Sequence, residues 1–262
     1  VPVTSLSFFS HTHTHTHTHF LSYSVLLFHS DRELGPEDPR TFTWGAQVYV
    51  AVNGPPAQGD DGSRRNIRCM KIQPVFPTVL APVDLRLVDE PMERYEKNWS
   101  PIGPGPDGET FLFSRLAEPH QIVGCRRDGL CRTVATSSAA EFFRAFKAVW
   151  QLSSLHLGTN AIRLPSGVYV AILHGLTAVG QKQYYNFVYA FAGTPPYNIM
   201  AVGEQPLALD RGSFNSGFQF TSSLAWLDGR VAVGYNVKDR SCSFILYQLE
   251  EFVANMSSTA QT

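Results

Sequence analysis

Short apolar runs follow one another along most of this chain, and each one stops at Gly, Pro, Asn or Asp. TFTWGAQVYVAV (41–52), QYYNFVYAFAG (183–193) and RVAVGYNV (230–237) are typical, being rich in Val, Phe, Tyr and Thr. Runs of this composition, separated by turn residues, predict β-strands. The Asp228-Gly229 step between two of them predicts a tight hairpin. The pattern indicates an all-β sandwich, barrel or propeller, and the repeating strand–turn–strand unit favours the propeller.

One segment, SSAAEFFRAFKAVW (137–150), has a different period. Its apolar residues Phe142, Phe143 and Phe146 fall near helical spacing, and Ser138 with Glu141 forms a capping-box pattern. We therefore predict one short helix at 138–150.

The two ends of the chain differ from its middle. HTHTHTHTH (11–19) is what a CA-dinucleotide repeat encodes, since CAC specifies His and ACA specifies Thr. A bare repeat also lacks the fixed geometry and supporting shell of a metal site. We expect residues 1–30 to be an unstructured lead-in or an artefact of the gene model, residues 31–254 to form a single β-propeller domain, and residues 255–262 to be a disordered tail.

Composition narrows the class of protein further. The 262-residue chain is 44% hydrophobic and carries 21 Lys and Arg against 22 Asp and Glu, a formal net charge of −1. This balance predicts no basic patch, so we expect no nucleic-acid partner. No run reaches the ~18 apolar residues of a membrane-spanning helix, and FLSYSVLLF (20–28) lacks the basic start of a signal peptide. Localisation and oligomeric state therefore stay unknown.

The four cysteines, Cys69, Cys125, Cys131 and Cys242, do not have the spacing of a zinc site. Motifs for phosphate loops, dinucleotides, nucleophilic serines and zinc peptidases are missing as well. We expect no metal and no cofactor. Four reduced thiols are the favoured state, and a Cys125–Cys131 disulfide across GCRRDGLC is the alternative.

GPEDPR (35–40) is the most distinctive polar motif. Pro39 disfavours a helical backbone at Asp38, so the carboxylate stands on a rigid turn. A fixed carboxylate with neighbours that tune its pKa suits general acid catalysis, and Arg40 could clamp an anion. The alternative is an ordinary solvated turn.

Further candidates lie in polar stretches beside predicted strands. In YEKNWSPIG (95–103), Trp99 could stack on a sugar while Lys97 and Asn98 bind hydroxyls or phosphate. The alternative is a turn with a Trp in the core. The sequence also marks two histidines and two late polar residues, whose ordinary interpretation is structural: His120, His174, Tyr235 and Asp239.

Taken in order, six stretches resemble glycoside hydrolase family 130, the mannoside phosphorylases and their relatives. They are GPEDPR, EKNWSPI, FLFSRLAEPHQIV, GTNAIRL with YVAILHG, YAFAGTPPYNI and FTSSLAWLDGRVAVGYNVKD. The resemblance covers about residues 35–252 and implies a five-bladed β-propeller with its active site in the central funnel.

The resemblance also implies a reaction, the inverting cleavage of β-mannosidic bonds in an oligosaccharide by phosphate or by water. Asp38 would protonate the glycosidic oxygen, directly or through a sugar hydroxyl, while the nucleophile attacks from the opposite face. Inorganic phosphate would be the co-substrate of a phosphorylase, with Arg40 and Lys97 near it. The other substrate-binding candidates are Glu37, Asn98, Trp99, His120, His174, Tyr235 and Asp239.

Two departures from the family keep other functions open. Only 34 residues precede GPEDPR, fewer than a blade, so we expect an incomplete propeller of about four blades. The arginines that bind phosphate in the phosphorylases have no clear counterpart, since Arg115 stands in a different local motif. The alternatives are a catalytically degenerate propeller that binds glycans or proteins, and a glycosyltransferase-like relative.

Overall fold

Four sheets stand around a common axis as the blades of a β-propeller in the computed structural model of the protein. The structure describes residues 37–54, 69–90, 97–177, 183–209, 219–237, 241–254 and 256–258. The predicted all-β propeller of about four blades is thereby confirmed. The expected lead-in at 1–30 lies outside the described residues.

The first two sheets come from the first half of the chain. In the first sheet the strands lie in chain order: β1 (Glu37–Trp44), β2 (Gln47–Gly54), β3 (Cys69–Phe76) and β4 (Val83–Asp84). The second sheet contains β5 (Arg86–Leu87), β6 (Ser100–Pro104), β7 (Phe111–Leu116), β8 (His120–Cys125) and β9 (Leu130–Ser137). Its order is β5-β9-β8-β7-β6, so β6 lies at one edge.

A helix, α1 (Ala140–Trp150), leads into the third sheet. That sheet contains β10 (Leu152–Leu157), β11 (Ile162–Arg163), β12 (Tyr169–Thr177), β13 (Tyr184–Phe191) and β14 (Ile199–Gly203). The fourth sheet contains β15 (Gln219–Leu227), β16 (Arg230–Val237) and β17 (Ser241–Gln248), and it is followed by α2 (Leu249–Val253) and β18 (Met256–Ser258). Because β1 contacts both β6 and β15, these edge strands line the axis.

The C-terminal segment corrects one expectation. Met256–Ser258 do not belong to a disordered tail, because β18 pairs antiparallel with β14 and extends the third sheet. The chain therefore returns from the fourth sheet to the third, and α2 packs Phe252 into the apolar cluster between them.

Three apolar clusters fill the spaces between neighbouring sheets. Successive residues of one strand serve different clusters: Phe187 of β13 packs toward the second sheet and α1, whereas Val188 packs toward the fourth sheet. This alternation follows from the two-residue period of a strand. It explains why the central strands read as nearly continuous apolar runs.

The predicted helix is confirmed, but its predicted cap is not. Helix α1 buries Phe143 and Phe146, and Phe146 meets Phe187 edge-on with ring centroids 4.8 Å apart. Its N-cap is Ala139, which makes no side-chain cap hydrogen bond, so the Ser138–Glu141 capping box does not form. Burial of the apolar face therefore holds this helix, since the cap contributes nothing.

Two cysteines also correct an expectation. Cys125 and Cys131 face each other across the β8–β9 hairpin and form a disulfide. Both are fully buried in the cluster between the first and second sheets. The favoured prediction of four reduced thiols is wrong for this pair because the hairpin register places the two residues directly opposite each other.

The Asp228-Gly229 prediction is confirmed. Asp228 has φ 50° and Gly229 has φ 76°, and the turn pairs Leu227 with Arg230. Two successive positive φ values match the right-handed twist of the flanking strands.

Candidate active site

Asp38 stands at the axis on a β-bulge at the start of β1. Glu37 pairs with Asn53 and Arg40 pairs with Ala51, so two residues of β1 oppose a single residue of β2. Asp38 is half-buried and has φ 51°, a left-handed conformation that Asp tolerates better than most residues. Such a backbone costs on the order of 1–3 kcal/mol and re-aims the side chain. The bulge therefore takes the Asp38 side chain out of the strand alternation, in the edge strand that lines the axis.

Asn53, at the end of β2, holds this carboxylate. Its side-chain Nδ2 donates to Asp38 Oδ2 at 3.0 Å, and its Oδ1 accepts from the backbone N–H of Asn98 at 3.2 Å. Asn53 is fully buried. The two bonds determine the amide orientation, because only one assignment places the NH₂ on the carboxylate and the oxygen on the N–H. Asp38 is thus coupled through one amide to the turn before β6.

Arg40 joins β1 to the turn before β6 and to the end of β10. Its Nε donates to Gly158 O at 2.9 Å, and its Nη2 contacts Leu157 O at 3.3 Å and Asn98 Oδ1 at 3.5 Å. Burial lowers the Arg40 pKa to about 10, and the negative charge of Asp38 partly offsets this effect. The guanidinium therefore stays charged at neutral pH. Its donors serve protein carbonyls, so Arg40 holds the blades together and is not the exposed anion clamp that the sequence suggested.

Two histidines face each other next to this group. His156 of β10 pairs with His174 of β12, with ring centroids 5.4 Å apart. His174 is buried, and burial, then His156, Arg40 and Lys97 hold its pKa well below the usual range. Burial and then Lys97 lower the pKa of His156. At neutral pH both imidazoles are uncharged.

Aromatic side chains extend this surface onto the fourth sheet. His174 meets Phe220 edge-on at 4.9 Å, and its ring lies 5.5 Å from Tyr184. Asn186, opposite His174 on β13, accepts from Thr221 Oγ1 at 3.0 Å and donates to Gln219 O at 3.0 Å. Strand β15 is therefore bound directly to the third sheet at the level of the imidazole pair.

The structure brings together Asp38, Arg40, Lys97, Asn98 and His174 among the residues singled out in the sequence. Asn98 is buried and has φ 63°, a second left-handed residue at the same place, while Lys97 beside it is exposed. The group adds Asn53 and His156, which sequence reasoning missed. A His–His pair across β10 and β12 is separated by 18 residues in the chain, so only strand register could reveal it.

Other candidates lie elsewhere. Trp99 is fully buried, 6.3 Å from the Phe113 ring, so it is the core Trp of the alternative interpretation and offers no stacking face to a sugar. His120 is buried between the second and third sheets, and Tyr235 packs against the cluster between the third and fourth sheets. The Glu37 side chain and Asp239 lie outside what the structure describes.

Arg115 is held in a network of its own. It contacts Glu90 Oε2 at 3.0 Å and donates to Gln121 Oε1 at 2.7 Å, and Gln121 Nε2 returns a bond of 2.7 Å to Glu90. The pKa of Glu90 is lowered by the hydroxyl of Thr133, by Gln121 and by Arg115. This network ties β7, β8 and β9 to the segment after β5.

The described part of the chain contains no cluster of metal ligands and no membrane-spanning helix. Within it, no group of three or more His, Cys, Asp and Glu is arranged to hold a metal ion. Neither described helix has the length and apolar character needed to cross a membrane.

No family model and no curated protein matches the chain at the level of sequence. Solved structures do match its fold. A glycosyl hydrolase from Bacteroides ovatus superposes with a TM-score of 0.59 at 12% identity, over 82% of this chain and 66% of that one. A β-1,2-mannobiose phosphorylase from Listeria innocua, in complex with β-1,2-mannobiose, has a TM-score of 0.58 at 11% identity, over 84% and 60%.

A structure from the GH130 family of mannoside phosphorylases has a TM-score of 0.53 at 14% identity, over 88% of this chain and 72% of that one. That family is described as containing glycoside hydrolases that target β-1,2 mannosidic linkages in Candida mannan. The chain spans less than two thirds of the length of the Bacteroides ovatus and Listeria innocua proteins, 66% and 60%. The fold is thus a β-propeller similar to those of these glycoside hydrolases and of the mannobiose phosphorylase.

Proposed function

We propose that this protein is a carbohydrate-active enzyme that cleaves β-mannosidic bonds with inversion, by phosphorolysis or hydrolysis, and that Asp38 is its general acid. The observation that carries the proposal is the Asp38 carboxylate itself. Asp38 lies on a β-bulge in the strand that lines the axis, and Asn53 Nδ2 donates a hydrogen bond to its Oδ2 at 3.0 Å. General acid catalysis needs a carboxyl group of fixed direction within reach of the leaving oxygen.

Asp38 would give its proton to the glycosidic oxygen, directly or through a sugar hydroxyl. The bond from the anomeric carbon to that oxygen breaks while the nucleophile forms a new bond from the opposite face. This arrangement inverts the anomeric configuration. When water attacks, its surplus proton leaves to solvent on the opposite face of the sugar. In both reactions Asp38 regains a proton from solvent, which completes the cycle.

The groups around Asp38 suit a polyhydroxylated substrate. Uncharged imidazoles both donate and accept hydrogen bonds, as sugar hydroxyls require, and His156 is the more exposed ring of the pair. Lys97 supplies an exposed ammonium group that could pair with a phosphate nucleophile. The named neighbours add support, because the Listeria innocua protein is a mannobiose phosphorylase.

The direct test is turnover of β-1,2-mannobiose with and without inorganic phosphate, with the product anomer followed by NMR. Asp38→Asn should lower the rate by about 10²–10⁴-fold, because the general acid is lost. Asp128→Asn is the control, since Asp128 is an exposed partner of Arg126 on the β8–β9 turn. Undiminished turnover by Asp38→Asn would remove Asp38 from the mechanism.

A second candidate function is a glycan-binding propeller without catalysis. Arg40 favours this function without catalysis, because its guanidinium donates to the Gly158 and Leu157 carbonyls and is not presented to a ligand. In that case β-mannosides bind to the wild-type chain and to Asp38→Asn equally, and neither variant turns them over. Calorimetric binding measured together with the turnover assay separates the two functions.

A further inference from the structure

Four polar side chains lie inside the apolar layer between the second and third sheets. They come from four strands, and each is at most 1% exposed: Ser100 (β6), Ser114 (β7), His120 (β8) and Tyr189 (β13). The surrounding cluster is apolar, with Ile102, Leu112 and Ile122 on the side of the second sheet. We name these four residues the inter-sheet polar cluster.

Pairwise neighbours connect the four side chains. Ser100 is directly opposite Ser114 in the β6–β7 pairing, which brings the two side chains side by side on one face. The His120 ring is edge-on to the Tyr189 ring at 6.0 Å. Burial raises the pKa of Tyr189, and the Ser114 hydroxyl opposes this as a hydrogen-bonding neighbour, although neither oxygen has a partner at full hydrogen-bond geometry.

Each member has a buried polar atom that no described group satisfies. These atoms are Ser100 Oγ, Ser114 Oγ, His120 Nε2 and Tyr189 OH. The other ring nitrogen of His120, Nδ1, lies 2.9 Å from Tyr197 O. A carbonyl only accepts, so Nδ1 carries the proton and Nε2 is an acceptor.

The chemistry of these atoms defines the ligand. Burial lowers the His120 pKa to about 4 and raises the Tyr189 pKa, so both groups are uncharged at neutral pH. Three hydroxyls can donate or accept, and one imidazole nitrogen accepts. A small neutral molecule with two donors and two acceptors complements this set. Buried polar groups without protein partners are commonly satisfied by such internal water.

We infer that the inter-sheet polar cluster is a binding site for ordered water that bridges β6, β7 and β8 to β13. Water here joins two blades directly behind the turn that carries Lys97 and Asn98, because Ser100 is two residues after Asn98. The inference depends only on the packing of the two sheets, so it stands whether or not the protein cleaves glycosides.

Oxygen-17 magnetic relaxation dispersion of the full-length protein tests this directly, because it detects water held inside a protein for longer than the molecule tumbles. We expect such a signal in the wild type and its loss in Ser114→Val, which fills the site with methyl groups. A high-resolution crystal structure should place water within hydrogen-bond distance of Tyr189 OH and His120 Nε2. A wild type with no long-lived water, or a crystal structure with a dry cluster, overturns the inference.

Thermal unfolding gives an independent sign. Tyr189→Phe removes only the hydroxyl, so it should lower the Tm by about 2–4 °C if water is bound there. In a dry cluster the same change removes an unsatisfied group, and the Tm stays level or rises, which contradicts the inference. Tyr185→Phe on the same strand is the control, because the Tyr185 hydroxyl already donates to Gln183 at 3.1 Å. If Tyr189→Phe does not fold, the relaxation measurement on the wild type still decides.

Discussion

Replacing Asn53 by Ala should disable the site and weaken the fold together. The change removes the bond to the Asp38 carboxylate and leaves the Asn98 N–H without its acceptor in a buried position. A hydrogen bond to a charged group contributes about 1.5–3 kcal/mol, and an unsatisfied buried N–H costs about 1–3 kcal/mol. The summed loss is roughly 2.5–6 kcal/mol, which at about 2–4 °C per kcal/mol lowers the Tm by roughly 5–24 °C.

Asn160→Ala is the matched control for this prediction. Asn160 also makes paired bonds across two sheets, to the carbonyl and N–H of Leu224 at 2.9 Å each. Its removal should lower stability as well, but kcat on a β-mannoside should stay at the wild-type value. Differential scanning calorimetry and steady-state kinetics on both variants make the comparison. If Asn53→Ala keeps both the wild-type Tm and kcat, the coupling of Asp38 to Asn98 through Asn53 is not real.

The near-isosteric change Asn53→Asp sharpens the test. It can still accept from the Asn98 N–H, but it replaces the donor to Asp38 with a second carboxylate at about the same separation. Like charges at that distance repel strongly. The repulsion requires both groups to be ionised, so the variant should be destabilised more at pH 7 than at pH 4, relative to wild type. Equal destabilisation at the two pH values would contradict an approach of Asn53 to the carboxylate.

Three further predictions concern parts of the fold around the site. Arg40→Lys keeps the charge but loses the hydrogen bonds to the third sheet, so urea unfolding should show a loss of roughly 3–5 kcal/mol in the free energy of unfolding. Arg126→Lys at the surface should leave that free energy unchanged. Equal effects of the two substitutions would contradict the role of Arg40. The folded pKa of His120 is about 4, below its unfolded value of 6.5, so its contribution to stability is full above pH 6.5 and is lost as pH falls toward 4. Titration of unfolding free energy should show that fall, and His120→Phe should flatten it. Replacing Cys125 and Cys131 by Ala removes a disulfide whose partners are 6 residues apart in the sequence. The free energy of unfolding should fall by roughly 2 kcal/mol relative to the oxidised wild type. An unchanged free energy of unfolding would mean that the bond does not form in solution.

Local signals in the sequence were sufficient to predict most strands and the helix α1. Runs of β-branched and aromatic residues mark the strands, Asp228-Gly229 marks a hairpin, and Phe143 and Phe146 mark α1. The capping box failed because the helix begins one residue later than the pattern requires: Ala139, not Ser138, occupies the N-cap position, and Ala has no side-chain acceptor. The Cys125–Cys131 disulfide stayed the less favoured alternative for a related reason: hairpin register, not spacing alone, decides whether two thiols meet.

The chemistry of the candidate site was visible in part. The Glu37–Arg40 motif and the Lys97-Asn98 pair could be recognised as candidate site residues, because they are polar stretches between apolar runs. Trp99, by contrast, looks the same in sequence whether it stacks on a ligand or fills a core. Its burial depends on Phe113, which arrives from a neighbouring strand.

Residue order along the chain determined the short strands, the Asp228-Gly229 hairpin and the position of α1, because strand period and turn chemistry are local properties. Only the tertiary structure decided which groups surround the Asp38 carboxylate. Asn53 lies on the first sheet, Asn98 lies in the turn that leads into the second, and the His156–His174 pair lies on the third. Arg40 bonds to Asn98 and to the Leu157 and Gly158 carbonyls. Such contacts depend on the closing of blades around the axis and on strand register, and neither leaves a mark in the spacing of residues.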